Sequence, residues 1–110
     1  MRPTVVLLML AAAPVAAQDV PEGVAFAYVC AGGATLSVAY LNPPGGDSYA
    51  VVAHDGTLVP MKAGPTGSGV RYLSLDGTKL VWHAKGDRGF LARDDAGQTM
   101  IAADCAAEPG

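Results

Sequence analysis

Glycine, proline and other turn-forming residues interrupt this sequence at short, regular intervals, and this feature constrains the fold more than any other. From Phe26 onward, runs with the character of β-strands alternate with such turns, and no segment keeps the apolar period of a helix. The predicted strands are 26–30, 35–41, 48–54, 57–63, 71–75, 79–84, 88–94 and 98–105. About eight short strands at regular spacing predict an all-β domain, either an antiparallel barrel or a sandwich.

Local signals refine this prediction at four places. Asp55-Gly56 and Asp76-Gly77 lie between predicted strands, and such dipeptides favour the positive φ angles of tight hairpin turns. Pro60 lies inside the fourth predicted strand, where it cannot donate a ladder hydrogen bond, so an edge position or a bulge is predicted there. Residues 106–110 follow the last predicted strand and are expected to form a loose tail.

The N-terminal segment has the features of an export signal. Arg2 precedes an apolar run at 5–13, and the small residues at 14–17 suit a signal-peptidase site before Gln18. The apolar run is about half as long as the ~20 residues that a membrane span needs. We therefore predict that residues 1–17 are removed on export and that residues 18–110 form a single domain.

Lipid attachment is not expected. A lipoprotein signal places a cysteine directly after the cleaved segment, whereas the nearest cysteine is Cys30, preceded by Ala27-Tyr28-Val29. The mature protein is thus predicted to be soluble, without a membrane anchor, and periplasmic or secreted. Removing Arg2 leaves six basic and ten acidic residues, a net charge of 6 − 10 = −4. An acidic domain argues against nucleic acid as a partner and favours a basic one.

The chain has two cysteines, Cys30 and Cys105, near the two ends of the predicted domain. Two cysteines in a small exported protein are expected to form a disulfide. Because this bond would close nearly the whole domain, the chain-entropy model assigns it about 4 kcal/mol. Metal and redox centres need closer spacing, such as CxxC, so no metal site and no cofactor are predicted.

A glycine-rich segment at 64–69 separates the fourth and fifth predicted strands. Gly67 and Gly69 flank Ser68, so the serine hydroxyl has no bulky neighbour in the sequence, and Arg71-Tyr72 follow. One interpretation is an ordinary glycine-rich connection. The other is a protruding loop that offers a hydroxyl, backbone amides and a cation to the cleft of a partner.

Five motifs of this chain occur in order: Tyr28-Val29-Cys30, Val38-Ala39-Tyr40-Leu41-Asn42, the SGxxY sequence Ser68-Gly69-Val70-Arg71-Tyr72, Trp82 followed by Lys85-Gly86-Asp87, and Cys105. In order and spacing they resemble the motifs of the MliC/PliC family of bacterial inhibitors of c-type (chicken-type) lysozyme. The resemblance covers roughly residues 26–105.

The resemblance implies an eight-stranded antiparallel β-barrel whose SGxxY loop enters the active-site cleft of c-type lysozyme. Ser68 would then approach the catalytic carboxylates, and Lys85 would place an ammonium group beside them. The lysozyme-binding residues implied in this way are Ser68, Gly69, Arg71, Tyr72, Lys85 and Gly86. The chain departs from the pattern at His83, where many members carry an aromatic residue, and at Ala84, where many carry Ser or Thr.

Other functions fit the residues less well. Ser68, His54 and His83 are all present, but a serine hydrolase needs a histidine at the serine hydroxyl and a carboxylate to orient it, so no enzyme is predicted. His54, Asp55 and His83 lack a metal-ligand spacing. A binding module for peptidoglycan or another envelope component is the alternative function. The sequence leaves the oligomeric state open.

Overall fold

Each strand pairs with the next strand along the chain, because the connections between them are short. In the computed structural model, which describes residues 23–109, eight antiparallel strands close into one barrel. They are β1 (Gly23–Val29), β2 (Thr35–Leu41), β3 (Tyr49–His54), β4 (Thr57–Gly64), β5 (Val70–Ser74), β6 (Leu80–Lys85), β7 (Arg88–Arg93) and β8 (Met100–Ala107). The predicted all-β class is confirmed, and the choice between barrel and sandwich is resolved as a barrel.

The turn residues predicted the positions of the strands well. The ends of every predicted strand lie within three residues of the ends of an observed strand. A short 3-10 turn at Ala31–Gly33 joins β1 to β2. Residues 23–109 contain no helical segment with the length and hydrophobicity that a transmembrane span requires. The predicted export signal at 1–17 lies outside the described residues.

The barrel closes where β8 meets β1, and this seam is short. Val29 pairs with Ala106 and Tyr28 with Ala107, and the Glu108 amide donates to the Ala27 carbonyl at 2.8 Å. The prediction of a loose tail from residue 106 is therefore wrong. Alanines have little β-propensity of their own, but here their backbone groups are paired across the seam.

A disulfide reinforces the same seam. Cys30 directly follows β1 and Cys105 lies in β8, and their sulfur atoms are bonded, as predicted. The cysteines are 5% and 0% exposed, so the bond lies in the interior, where it adds apolar contact as well as a covalent link. Because the two residues are 75 positions apart, the bond encloses β2 to β7 completely.

Alternate residues of the strands face the barrel interior, as the period of a β-strand requires. The largest fully buried side chains are Trp82, Met61, Leu91, Val38, Val52 and Val81. Trp82 lies against Gly89 of the neighbouring strand, where a Cβ atom would come within 2.6 Å of the indole ring. Gly89 thus leaves the space that the largest core side chain occupies.

Pro60 is placed differently from the prediction of an edge or a bulge. The barrel is closed, and Pro60 pairs in regular register with Val51 of β3. Its carbonyl accepts a hydrogen bond from the Leu75 amide at 2.8 Å, on the β5 side. The N and O atoms of one strand residue face the same neighbour, so the missing donor also faces β5. The ladder with β5 ends one residue away, at Met61 and Ser74, and little pairing is lost.

We predict that replacing both cysteines, Cys30→Ala with Cys105→Ala, lowers the free energy of unfolding by about 2–5 kcal/mol. The physical reason is that the unfolded chain regains the freedom that the long covalent loop removes. Urea denaturation of the parent and the double variant measures the difference. As a control, a reducing agent should destabilise the parent and leave the double variant unchanged; equal midpoints for the two proteins would contradict the prediction.

Candidate functional site

The glycine-rich loop at 65–69 connects β4 to β5 and lies at one end of the barrel. Gly64 pairs with Arg71 across its base. In a barrel in which every strand pairs with its sequence neighbours, successive connections alternate between the two ends. The β6–β7 turn therefore lies at the same end, beside this loop. We call this region, made of residues 65–69 and 85–87, the loop end.

Gly69 brings the loop into direct contact with the β6–β7 turn. Its φ angle is 71°, in the left-handed region. A Cβ atom at this position would lie 2.5 Å from the Ala84 carbonyl oxygen and 3.1 Å from the Lys85 Cβ. Such an approach is possible only for glycine. The register agrees, because Val70 pairs with Ala84 and places Gly69 opposite Lys85.

Ser68 and Lys85 are both exposed at the loop end. Among residues 23–109, the Ser68 hydroxyl has no hydrogen-bond partner and the Lys85 ammonium group has no ion-pair partner. Gly86 has a φ angle of 62°, which a tight turn between Lys85 and Arg88 requires. The fold thus brings together four of the six predicted binding residues: Ser68, Gly69, Lys85 and Gly86.

The other two predicted residues are placed elsewhere. The Arg71 guanidinium reaches the β7–β8 connection, where it donates to the Gln98 side chain at 3.1 Å and lies 3.7 Å from an Asp94 carboxylate oxygen. Tyr72 is only 5% exposed, and its ring centroid lies 5.8 Å from that of Tyr40. Tyr72 therefore supports the base of the loop from inside the barrel, and burial raises the pKa of its hydroxyl.

A cluster of aromatic side chains lies beneath the loop end. The Tyr40 hydroxyl accepts a hydrogen bond from the Trp82 indole at 2.9 Å and shares another with the Tyr28 hydroxyl at 2.6 Å. Burial raises the pKa of Tyr40 above its usual range. Beside the cluster is a cavity of about 290 Å³, lined by Phe26, Tyr28, Tyr40, Val70, Ala84, Gly86, Asp87 and Ala107.

The sequence did not identify a role for His83, which lies next to the loop. Its Nε2 atom is 2.9 Å from the Ser68 carbonyl oxygen, and its ring packs edge-on against Phe90, with centroids 5.3 Å apart. A second cavity, of about 250 Å³, is lined by His83, Lys85, Arg88, Gly89, Phe90 and Asp104. The sequence does contain one indication that His83 belongs to the site: it precedes Lys85 by two positions and so lies on the same face of β6.

The geometry does not suit the alternative chemistries. The imidazole of His83 contacts the carbonyl oxygen of Ser68 rather than its hydroxyl, so this pair is not a nucleophile with its base. His54 lies in a different cavity from His83, lined also by Asp55, Thr57 and Arg93. Within residues 23–109, no three His, Cys, Asp or Glu side chains are grouped closely enough to hold a metal ion.

Comparisons with known proteins agree with this architecture. The crystal structure of PliC-St, the periplasmic lysozyme inhibitor of C-type lysozyme from Salmonella typhimurium, matches with a TM-score of 0.71 and 21% sequence identity. The match covers 80% of this chain and 100% of that one, and it shows a common fold. No curated protein sequence matches the chain at a significant level.

A sequence model of one family matches residues 28–100, which include every motif of the resemblance except Cys105. That family is described as the membrane-bound lysozyme inhibitor of c-type lysozyme, abbreviated MliC. Its members are inhibitor proteins rather than enzymes. The match spans most of the chain, and the resemblance seen in the motifs is confirmed: this protein belongs to the MliC family of c-type lysozyme inhibitors.

Proposed function

We propose that this protein inhibits c-type lysozyme by inserting the 65–69 loop into the active-site cleft, with the Ser68 hydroxyl and the Lys85 ammonium group at the catalytic carboxylates. One observation supports this most directly. Gly69 packs against the Ala84 carbonyl at a distance that only glycine permits, and this contact holds the loop beside Lys85. A hydroxyl and a cation, both exposed, are thereby presented together on a rigid barrel.

The chemistry of the cleft fits these two groups. A retaining glycosidase has two carboxyl groups about 5 Å apart, one protonated and one ionised. A serine hydroxyl can donate to the ionised group and accept from the protonated one. A lysine ammonium adds a charge-assisted hydrogen bond to the ionised carboxylate. The loop contains no glycosidic bond, so the enzyme cannot cleave what fills its cleft.

Arg71 and Tyr72 take supporting roles in this proposal. The Arg71 side chain is already paired with Gln98 and Asp94, so its guanidinium ties β5 to the β7–β8 connection. Tyr72 supports the loop from the interior, and Gly86 gives the turn its shape. Ser68 and Lys85 are then the residues whose side chains reach lysozyme.

The alternative function, a peptidoglycan-binding module, has less support. Binding of sugar rings usually requires an exposed aromatic platform, but Tyr28, Tyr72 and Trp82 are buried, and Phe26 is the only Phe, Tyr or Trp among residues 23–109 that is exposed. The exposed polar side chains of the loop end are the Thr66 and Ser68 hydroxyls, the Lys85 ammonium group and the Asp87 carboxylate. We also infer that the protein acts in the periplasm, because the sequence predicts an export signal and the structurally similar PliC-St is a periplasmic inhibitor.

Titration of a c-type lysozyme in a cell-wall lysis assay tests the proposal. The parent protein should inhibit stoichiometrically. Ser68→Ala should weaken inhibition by the value of a hydrogen bond to a charged group, about 1.5–3 kcal/mol. Ser68→Trp should nearly abolish it by blocking entry to the cleft. Thr57→Trp, an exposed position at the other end of β4, is the control and should inhibit like the parent. Full inhibition by Ser68→Trp would exclude insertion of this loop.

Lys85→Ala should increase the rate of dissociation from lysozyme, because it leaves a carboxylate without its partner in a desolvated site. Truncating one member of such a pair typically costs about 2 kcal/mol or more, equivalent to roughly 30-fold in the dissociation rate. Surface plasmon resonance measures the rate. Arg93→Ala removes the same charge from the cavity that contains His54, and its dissociation rate should stay unchanged. Equal dissociation rates for the parent, Lys85→Ala and Arg93→Ala would show that Lys85 does not contribute to the interface.

Gly69→Ala should abolish most of the inhibition, whereas Gly67→Ala should not. The first substitution brings a methyl group against the Ala84 carbonyl and strains a positive φ angle, so the loop must move away from Lys85. At Gly67 a Cβ atom meets nothing within 4 Å. The lysis assay, together with thermal unfolding of both variants, measures the difference. If Gly69→Ala inhibits as well as Gly67→Ala, the contact between the 65–69 loop and the β6–β7 turn is not needed for inhibition.

A further inference from the structure

We propose that His83 is a positioning residue of the inhibitor. Its imidazole holds the Ser68–Gly69 peptide in the free protein, so that the Ser68 hydroxyl already points outward before lysozyme binds. This inference rests on the proposed function. It gives His83 a role in inhibition, although His83 does not itself enter the lysozyme cleft. His83 lies on β6, opposite Arg71 on one side and Phe90 on the other.

The hydrogen bond defines which atom carries a proton. The Ser68 carbonyl oxygen can only accept, so the Nε2 atom of His83, 2.9 Å away, must donate. Nε2 carries a hydrogen both in one neutral tautomer and in the imidazolium ion. The contact therefore persists whichever of these two forms is present, and it restrains the loop without depending on a charged histidine.

The imidazole ring is itself held on two sides. Phe90 packs against it at an interplanar angle of 64°. On the other side is the loop backbone, where a Cβ atom at Gly69 would lie 3.2 Å from Nε2. A ring wedged between Phe90 and Gly69 has little freedom to rotate, so its donor stays directed at the Ser68 carbonyl.

The same carbonyl has a second, weaker restraint. The Thr66 hydroxyl donates to it from 3.4 Å, so the Ser68 carbonyl oxygen accepts from two side chains of the protein, of which His83 belongs to the barrel wall. The carbonyl is thus turned toward the barrel. The Ser68 hydroxyl, which has no partner among residues 23–109, remains available to a binding partner.

A restraint of this kind acts on association. If the free loop samples several conformations, only the competent fraction can enter the cleft, and the observed association rate falls with that fraction. Once the loop is inserted, the cleft holds it, so the dissociation rate changes little. Lys85 is expected to act in the opposite way, on dissociation, which separates the two roles experimentally.

Three variants test the inference. His83→Phe keeps a ring against Phe90 but removes the donor, and the association rate with c-type lysozyme should fall by about three- to tenfold, the loss expected for one neutral hydrogen bond. His83→Gln retains an N–H donor at a similar reach and should restore most of the rate. His54→Phe, at the β3–β4 turn, is the matched control and should associate like the parent.

A measurement on the free inhibitor separates this inference from the proposed function. Heteronuclear 15N relaxation of residues 66–70 should show greater loop motion in His83→Phe than in the parent, and His83→Gln should reverse it. Unchanged loop motion, or an effect confined to the dissociation rate, would overturn the positioning role. If loop motion changes as expected but the parent does not bind lysozyme, the restraint exists and the proposed function fails, together with the role assigned to His83 in inhibition.

Discussion

Closure of the barrel between β1 and β8 is the constraint on which the rest of this structure depends. β1 pairs with β2 along its whole length, from Gly23 to Val29, but with β8 only at Tyr28 and Val29. Hydrogen bonding alone gives this seam little strength, and the bond between Cys30 and Cys105 reinforces it. A small domain has limited apolar area to bury. A covalent link across the short β1–β8 ladder therefore contributes a large share of the stability of the closed barrel.

Closure also determines the position of the functional residues. β8 pairs with β7, and β7 pairs with β6 up to Lys85 and Arg88. Inside the barrel, the hydrogen bonds of Tyr40 with Trp82 and Tyr28 connect β2 to β6 and β1. The loop end is thus built on strands that are joined both through the wall and through the core. A site on such a support loses little conformational entropy on binding, which favours affinity.

Local signals in the sequence were sufficient to predict the strands, the disulfide and the loop, because each depends on residues close together in the chain or on simple pairing. Non-local contacts were not predictable in this way. The pairing of Ala106 and Ala107 with β1 depends on backbone groups, and the partners of Arg71 lie in a distant connection. The contact of His83 with Ser68 joins residues 15 positions apart, and only the strand register brings them together.

The position of Arg71 changes the charge at the loop end in a way that suits the proposed target. With its guanidinium paired to Asp94, Arg71 leaves Lys85 as the cation of the loop end, which also carries the Ser68 and Thr66 hydroxyls and the Asp87 carboxylate. A retaining glycosidase at working pH has one ionised and one protonated carboxyl group. In the proposed complex, the Lys85 ammonium group and the Ser68 hydroxyl match that state, whereas a second cation at the carboxylates would bury an uncompensated positive charge, which is costly in a desolvated cleft. The acidic remainder of the domain can then attract a basic enzyme over longer distances, where salt screens the interaction.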